Sequence, residues 1–248
     1  MRGRFIFFSL VLILTSTVSY CQSSFSANRP GQVVNPDITP KGNFMIESGF
    51  QYGKSQGSKS FLLPAGSVRY GLNSNSEISI NASNVYQVDS SLFGLTSYYA
   101  SGKIAICEQQ DLLPKISFIT GFILPFAGIK SLRPENSGGM IGLSLSHTLG
   151  SKCSVYANLV ATWTGNESYP VYNYVISVYF TPVSKLYLFA EFYGLTPEHG
   201  ENSVLSDCGV SYMVADNIQI DLTAGADYND PGNNHFIQLG AAFQIVKK

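Results

Sequence analysis

Asn217-Ile218-Gln219-Ile220-Asp221-Leu222-Thr223-Ala224-Gly225-Ala226-Asp227 alternates from end to end. Ile218, Ile220, Leu222 and Ala224 fall on one side of an extended chain; Gln219, Asp221, Thr223, Gly225 and Asp227 fall on the other. A helix would scatter both sets around its circumference, whereas a strand points successive side chains to opposite faces and sorts them. The same sorting recurs in Glu77 to Ser83, where Ile78, Ile80 and Ala82 oppose Glu77, Ser79, Asn81 and Ser83. In Lys185 to Gly194, Leu186, Leu188, Ala190 and Phe192 oppose Lys185, Glu191 and aromatics. No comparable helical period occurs after the first 21 residues.

Composition narrows what such strands can build. The chain has 248 residues, 45% hydrophobic and 12% charged, against about a quarter charged in an ordinary domain. The apolar and aromatic content excludes intrinsic disorder. A net charge of −1 disfavours nucleic acid, whose phosphates need clustered Lys and Arg. No stretch after residue 20 is apolar for the roughly 18 residues that a transmembrane helix needs.

Twelve alternating segments are expected: 43–53, 64–72, 76–86, 95–107, 115–126, 138–149, 153–163, 171–181, 185–195, 204–214, 217–227 and 234–246. Odd-numbered segments precede longer polar stretches, 54–63, 87–94, 127–137, 164–170, 196–203 and 228–233. Even-numbered ones mostly precede tight turns such as Asn73-Ser74-Asn75, Gly150-Ser151-Lys152, Pro182-Val183-Ser184 and Ala215-Asp216, with 108–114 the exception. An even strand count with alternating short and long connections is the layout of an outer-membrane barrel, and a soluble sandwich has no reason to sort its loops this way. Aromatics on the apolar face cluster at the two expected ends: Tyr52, Tyr86, Phe126, Trp163, Tyr172 and Phe192 outside, Phe44, Tyr70, Phe180, Tyr212 and Phe243 inside. Two such rings suit the two lipid–water interfaces. The expected fold is therefore all-β, a transmembrane antiparallel up-and-down barrel of about twelve strands over 42–248, in the outer membrane of a Gram-negative bacterium.

Residues 1–21 have the form of a secretory signal: Arg2 and Arg4, an apolar run, then a cut after Cys21 with Ser19 at the minus-three position. Removing them takes the net charge from −1 to −3. Cys107, Cys153 and Cys208 remain, an odd set without CxxC or CxxH spacing; neither a disulfide framework nor a metal site is expected. Residues 22–41 are too polar and proline-rich for a membrane strand. They either hang in the periplasm or fold back as a lumen plug, in which case Arg29 meets an acidic lining.

By parity that lining holds Glu47, Arg69, Glu77, Lys103, Glu191, Asp207, Asp221 and Asp227. Unpaired charges in a confined interior are costly, so these groups either brace a narrow barrel by pairing or leave it weakly cation-preferring. Tyr99, Tyr156, Tyr179, Tyr187, Phe189 and Tyr193 share the same parity. They suit small apolar or aromatic solutes, and equally suit a barrel filled by its own side chains.

Several short motifs point to a family. Asn28-Arg29-Pro30-Gly31-Gln32 is followed by Pro40-Lys41-Gly42-Asn43-Phe44 and a first strand carrying Glu47 and Gly49. Val68-Arg69-Tyr70-Gly71-Leu72 with Glu77, Leu124-Pro125, Phe189-Ala190-Glu191, Asp207-Cys208-Gly209-Val210-Ser211-Tyr212 and Gln219-Ile220-Asp221-Leu222 continue the series. In order and spacing the chain resembles the outer-membrane transporter family named for a meta-pathway of phenol degradation. The resemblance covers nearly the whole mature chain and implies a pore or transporter, without establishing a phenolic solute. Asn28 stands where the family usually has Asp. The chain ends on Lys247-Lys248 rather than on the terminal aromatic read by the barrel-assembly machinery, leaving Phe243 as the nearest aromatic.

Catalysis is not predicted. The three histidines, His147, His199 and His235, are read as interfacial or loop residues, and neither GxSxG nor HExxH occurs. The expected function is passive passage of small molecules through a narrow lumen, gated or narrowed by residues 22–41 and needing no cofactor. Its expected partners are outer-membrane lipid, a small solute and the insertion machinery. The alternative is a structural or surface-interaction barrel without an open pore, contacting a partner through 54–63, 127–137 and 164–170.

Overall fold

The computed structural model describes residues 25–125, 127–200 and 202–247, apart from the side chain of Ser97. The signal segment with its cut after Cys21, and the aromatic Phe126, lie outside the described residues. Twelve strands follow one another: β1 (Phe44–Ser55), β2 (Ser58–Gly71), β3 (Ser76–Gln87), β4 (Leu92–Cys107), β5 (Lys115–Ile123), β6 (Gly138–Leu149), β7 (Cys153–Trp163), β8 (Val171–Val183), β9 (Leu186–Pro197), β10 (Ser203–Ala215), β11 (Ile218–Asp227) and β12 (His235–Ile245). Each pairs antiparallel with its neighbours, and β12 returns to β1 to close the barrel. The seam runs from Phe44 opposite Ile245 to Lys54 opposite His235. Closure leaves no sheet edge, so every strand can satisfy its backbone groups inside a hydrocarbon layer.

The alternation sets which way each strand faces. Ile78, Ile80, Leu159 and Leu222 point outward and are exposed, whereas Glu77, Asn158, Asp221 and Thr223 point inward and are buried. An apolar exterior around a polar interior is the arrangement of a membrane barrel. Aromatics pair across strands near both rims: Phe44 and Tyr70 lie 4.7 Å apart at the end carrying the termini, and Tyr52 and Phe61 lie 5.3 Å apart at the other. Phe192 instead sits well inside β9, 6.4 Å from Tyr174. Cys107, Cys153 and Cys208 are free thiols on strands.

Several connections are shorter than the sequence suggests, 196–203 contracting to 198–202 among them. The stretch 54–63 is not a loop: β1 and β2 continue to a two-residue turn at Gln56-Gly57, with φ of 49° and 85°. Both residues are left-handed, as the tightest hairpins require. Pro64 is absorbed at a register shift between Leu62 and Ala65, one of the few places where a sheet tolerates proline. Likewise 87–94 contracts to 88–91. Ser58, Lys59 and Ser60 lie beyond the apolar belt, where a strand needs no oily face, so alternation does not reveal them. The longer connections that remain are 108–114 at the terminal end and 124–137, 164–170 and 228–234 at the opposite end.

Candidate functional site

The interior is occupied by the chain itself. Leaving the barrel rim at Gly71, where Lys41 bridges to β2, the segment can be followed backward around the wall. The Thr39 N–H donates to Glu77 on β3 (2.7 Å), and Ser117 on β5 donates to the Pro36 carbonyl (2.6 Å). The Val34 carbonyl accepts from Ser144 on β6 and from Asn158 Nδ2 on β7 (2.9 Å), while the Val34 N–H donates to Asn158 Oδ1 (2.6 Å). Gln32 N–H donates to Glu191 on β9 (2.6 Å), and Tyr179 on β8 donates to the Pro30 carbonyl (3.0 Å). Gln219 on β11 then donates to the Arg29 carbonyl (2.9 Å). Asn28 N–H donates to Glu47 on β1 (2.6 Å), and the Ser26 carbonyl accepts from Arg69 on β2 (2.6 Å). Residues 26–39 thus complete a circuit of the lumen and return to the side where they began.

Both ends of that circuit rest on one ionic cluster. Arg69, 1% exposed, donates through Nε and Nη2 to the two oxygens of Glu77 (3.0 and 2.9 Å) and through Nη1 to Glu47 (3.2 Å). A planar guanidinium against a carboxylate in this two-pronged way is the strongest arrangement such a pair can adopt. Lys103, directly across from Glu77 in the β3–β4 register, adds a contact at 3.1 Å and donates to the Asn35 carbonyl. Ser67 supplies a further donor to Glu47 at 3.0 Å. Two cations meet two carboxylates, and the cluster is neutral.

The adjoining wall, across the β1–β12 seam, is organised differently. Arg29 donates through Nε and Nη2 to the two oxygens of Asp221 at 3.1 and 2.8 Å. Its guanidinium lies over Gly49 and Gly240, which are directly opposed across the β1–β12 seam. A Cβ at Gly49 would stand 2.6 Å from the guanidinium, and one at Gly240 closer still. The glycines form a slot whose depth is the missing side chains, with Asp221, opposite Gly240 on β11, at its wall. Gly31, at φ 84°, packs where a Cβ would come within 2.5 Å of Glu191. Above these contacts Glu191 and Asp207 lie side by side on β9 and β10, both buried and without a cationic partner among the described residues.

Of the eight lining candidates, Glu47, Arg69, Glu77 and Lys103 form one cluster, and Asp221 pairs with Arg29. Asp227 stands apart at the end of β11, where its Oδ1 accepts the backbone N–H groups of Asn229 and Asp230 (2.8 and 3.1 Å). It caps the outer hairpin and has no part in the interior network. Residues not anticipated from sequence are the neutral anchors Ser117, Ser144, Asn158 and Gln219, and the glycine slot. Polar identity at inward parity, and glycine at inward parity on both seam strands, are the signals that would have found them. Between the segment and the β7–β11 wall lies a cavity of about 280 Å³ bordered by Val33, Tyr156, Tyr179, Tyr187 and Met213. Tyr179 stacks on Phe189 at 5.3 Å and meets Tyr156 edge-on at 5.1 Å.

Twelve strands closed on themselves, an apolar belt and a polar lumen define an outer-membrane β-barrel. The chain belongs to the family described as "Putative MetA-pathway of phenol degradation", which it matches over residues 27–245. Among solved structures it is similar to an outer membrane channel from Pseudomonas putida F1, with a TM-score of 0.67 and 11% identity over 87% of this chain and 100% of that one. It is also similar to the KdgM porin (0.58, 9%, 82% of this chain and 99% of the porin) and the NanC porin (0.58, 11%, 82% and 100%). A search of curated proteins finds no match.

Proposed function

We propose that the protein is a passive outer-membrane channel for small molecules, closed at rest by its own residues 25–41. The observation that carries this is the circuit of hydrogen bonds from Ser26 to Thr39, which runs around the lumen and holds the segment to the wall chiefly through polar contacts, with Val33 and Ile38 as its buried apolar side chains. Contacts of that kind exchange with water at about 1 kcal/mol each, and none of them belongs to the strand ladder that closes the barrel, so the segment can leave without breaking the wall. Displacement would open a path lined by Tyr156, Tyr179 and Tyr187, which suits small apolar or aromatic solutes. Diffusion through such a path needs no cofactor.

The test is single-channel conductance in planar bilayers, comparing the chain from Gln22 onward with one lacking residues 22–38. Heat-modifiable gel mobility reports folding of both. Rare, small openings that become frequent and larger on deletion are expected. A filled lumen also favours a barrel without a pore, whose 124–137 and 164–170 connections contact a partner; silence from both folded chains would establish that alternative and overturn the channel.

A further inference from the structure

We propose that Glu191, Asp207, Thr223 and Gln238 bind one divalent cation of the hard, oxygen-seeking class in the lumen, on the side of Arg29 away from the chain termini. The four residues come from four consecutive strands and share the inward face. Asp207 is directly opposite Glu191 in the β9–β10 register and opposite Gly225 in β10–β11. Thr223 lies two residues from Gly225 on the same face and is directly opposite Gln238. Cross-strand partners hold their Cβ atoms about 5 Å apart, and the curvature of the closed barrel turns the four inward side chains toward a common axis.

Most of their oxygens are unspent. Glu191 Oε2 accepts the Gln32 N–H, but Glu191 Oε1, both carboxylate oxygens of Asp207, Thr223 Oγ1 and Gln238 Oε1 are buried without a well-formed hydrogen bond. Tyr193 is the hydroxyl that approaches Asp207, and Ser177 the one that approaches Glu191. The residues are 4%, 5%, 0% and 9% exposed, so solvent does not replace the missing donors cheaply. The cations that reach this level of the lumen are engaged elsewhere: Arg29 by Asp221, Arg69 and Lys103 by Glu47 and Glu77. Two carboxylates therefore stand uncompensated, and their charge equals that of one divalent ion.

The donor set selects the ion. No three His, Cys, Asp or Glu side chains converge among the described residues, so a nitrogen or sulfur shell for a transition metal is not available. Two carboxylates, a hydroxyl and an amide carbonyl are all-oxygen, neutral and charged together, as Ca²⁺ accepts in flexible shells completed by water. Space is supplied by glycine: the Asp207 side chain leans across Gly225, where a Cβ would come within 2.6 Å of both Asp207 and the Phe236 ring. Phe236 closes that side with an apolar surface. Neither Cys nor His spacing reveals such a site, and it holds whether or not the lumen conducts.

The experiment is a terbium titration of the folded chain from Gln22 onward in detergent, with emission excited through tyrosine; Tyr193 lies two residues from Glu191 on the same face. Saturable one-to-one emission, displaced by Ca²⁺, is expected. Asp207→Asn and Thr223→Val should each weaken it at least tenfold, and the loop variant Asp89→Asn should leave it unchanged. Thr223→Val removes a single hydroxyl and keeps the side-chain shape, so it reports binding if Asp207→Asn folds poorly. Absence of saturable emission from the folded barrel, or a titration insensitive to both Asp207→Asn and Thr223→Val, would overturn the site.

Discussion

Two walls of the lumen handle buried charge in opposite ways. On β1–β4, Arg69 and Lys103 close on Glu47 and Glu77, and each carboxylate also accepts a backbone N–H from the internal segment. On β9–β11, three carboxylates meet a single cation, and that cation, Arg29, belongs to the segment rather than to the wall. One wall is self-sufficient; the other is complete only while something else occupies it. A fixed brace is built from residues on neighbouring strands, whereas a replaceable contact is built by leaving charge on the wall and putting its partner on a separable piece of chain.

Breaking the closed wall should cost the most. Arg69→Met leaves buried Glu47 without a cation and Glu77 with Lys103 alone, and should destabilise the barrel by about 3–5 kcal/mol, read as an earlier urea midpoint for loss of the heat-modifiable band. Arg29→Ala should instead act on the segment: losing its two-pronged contact with buried Asp221 should cost docking about 2–3 kcal/mol, and open probability in bilayers should rise some tens of fold. Gly240→Ala sharpens that result, because it leaves the charges in place and fills the slot. Openings should increase in the same direction but less, and a wild-type record would show that the glycine pair does not seat Arg29. Asp207→Asn should have the smallest effect on stability. In chelator-treated buffer it removes an uncompensated charge, so the urea midpoint should stay within about 1 kcal/mol of wild type or move to greater stability.

Much of this contrast was open to inspection in the primary structure. Asn217 to Asp227 already placed Asp221 on the inward face, and the same parity put Arg69, Glu77 and Lys103 there. What parity does not give is who meets whom. Arg69 finds Glu77 because Gly71 and Glu77 are register partners across a short turn, a local relation. Arg29 finds Gly49 and Gly240 only because the first and last strands meet at a seam, which no local pattern encodes. Asp227 shares the parity of Asp221 but ends its strand, so its carboxylate turns to the hairpin. The stretch 54–63 escaped for a related reason: strands that rise beyond the lipid lose the apolar face by which alternation is recognised.

The seating of Arg29 across the seam has a consequence for how the cylinder is completed. Gly49 comes from β1 and Gly240 from β12, so the slot does not exist until the first and last strands have zipped together. A ligand that binds only the zipped form favours zipping by its own binding free energy, and here the ligand is tethered to the chain. The internal segment is then a mandrel as well as an occupant: the wall closes around it, and its departure slackens the one joint in the barrel whose two strands are not consecutive in the chain.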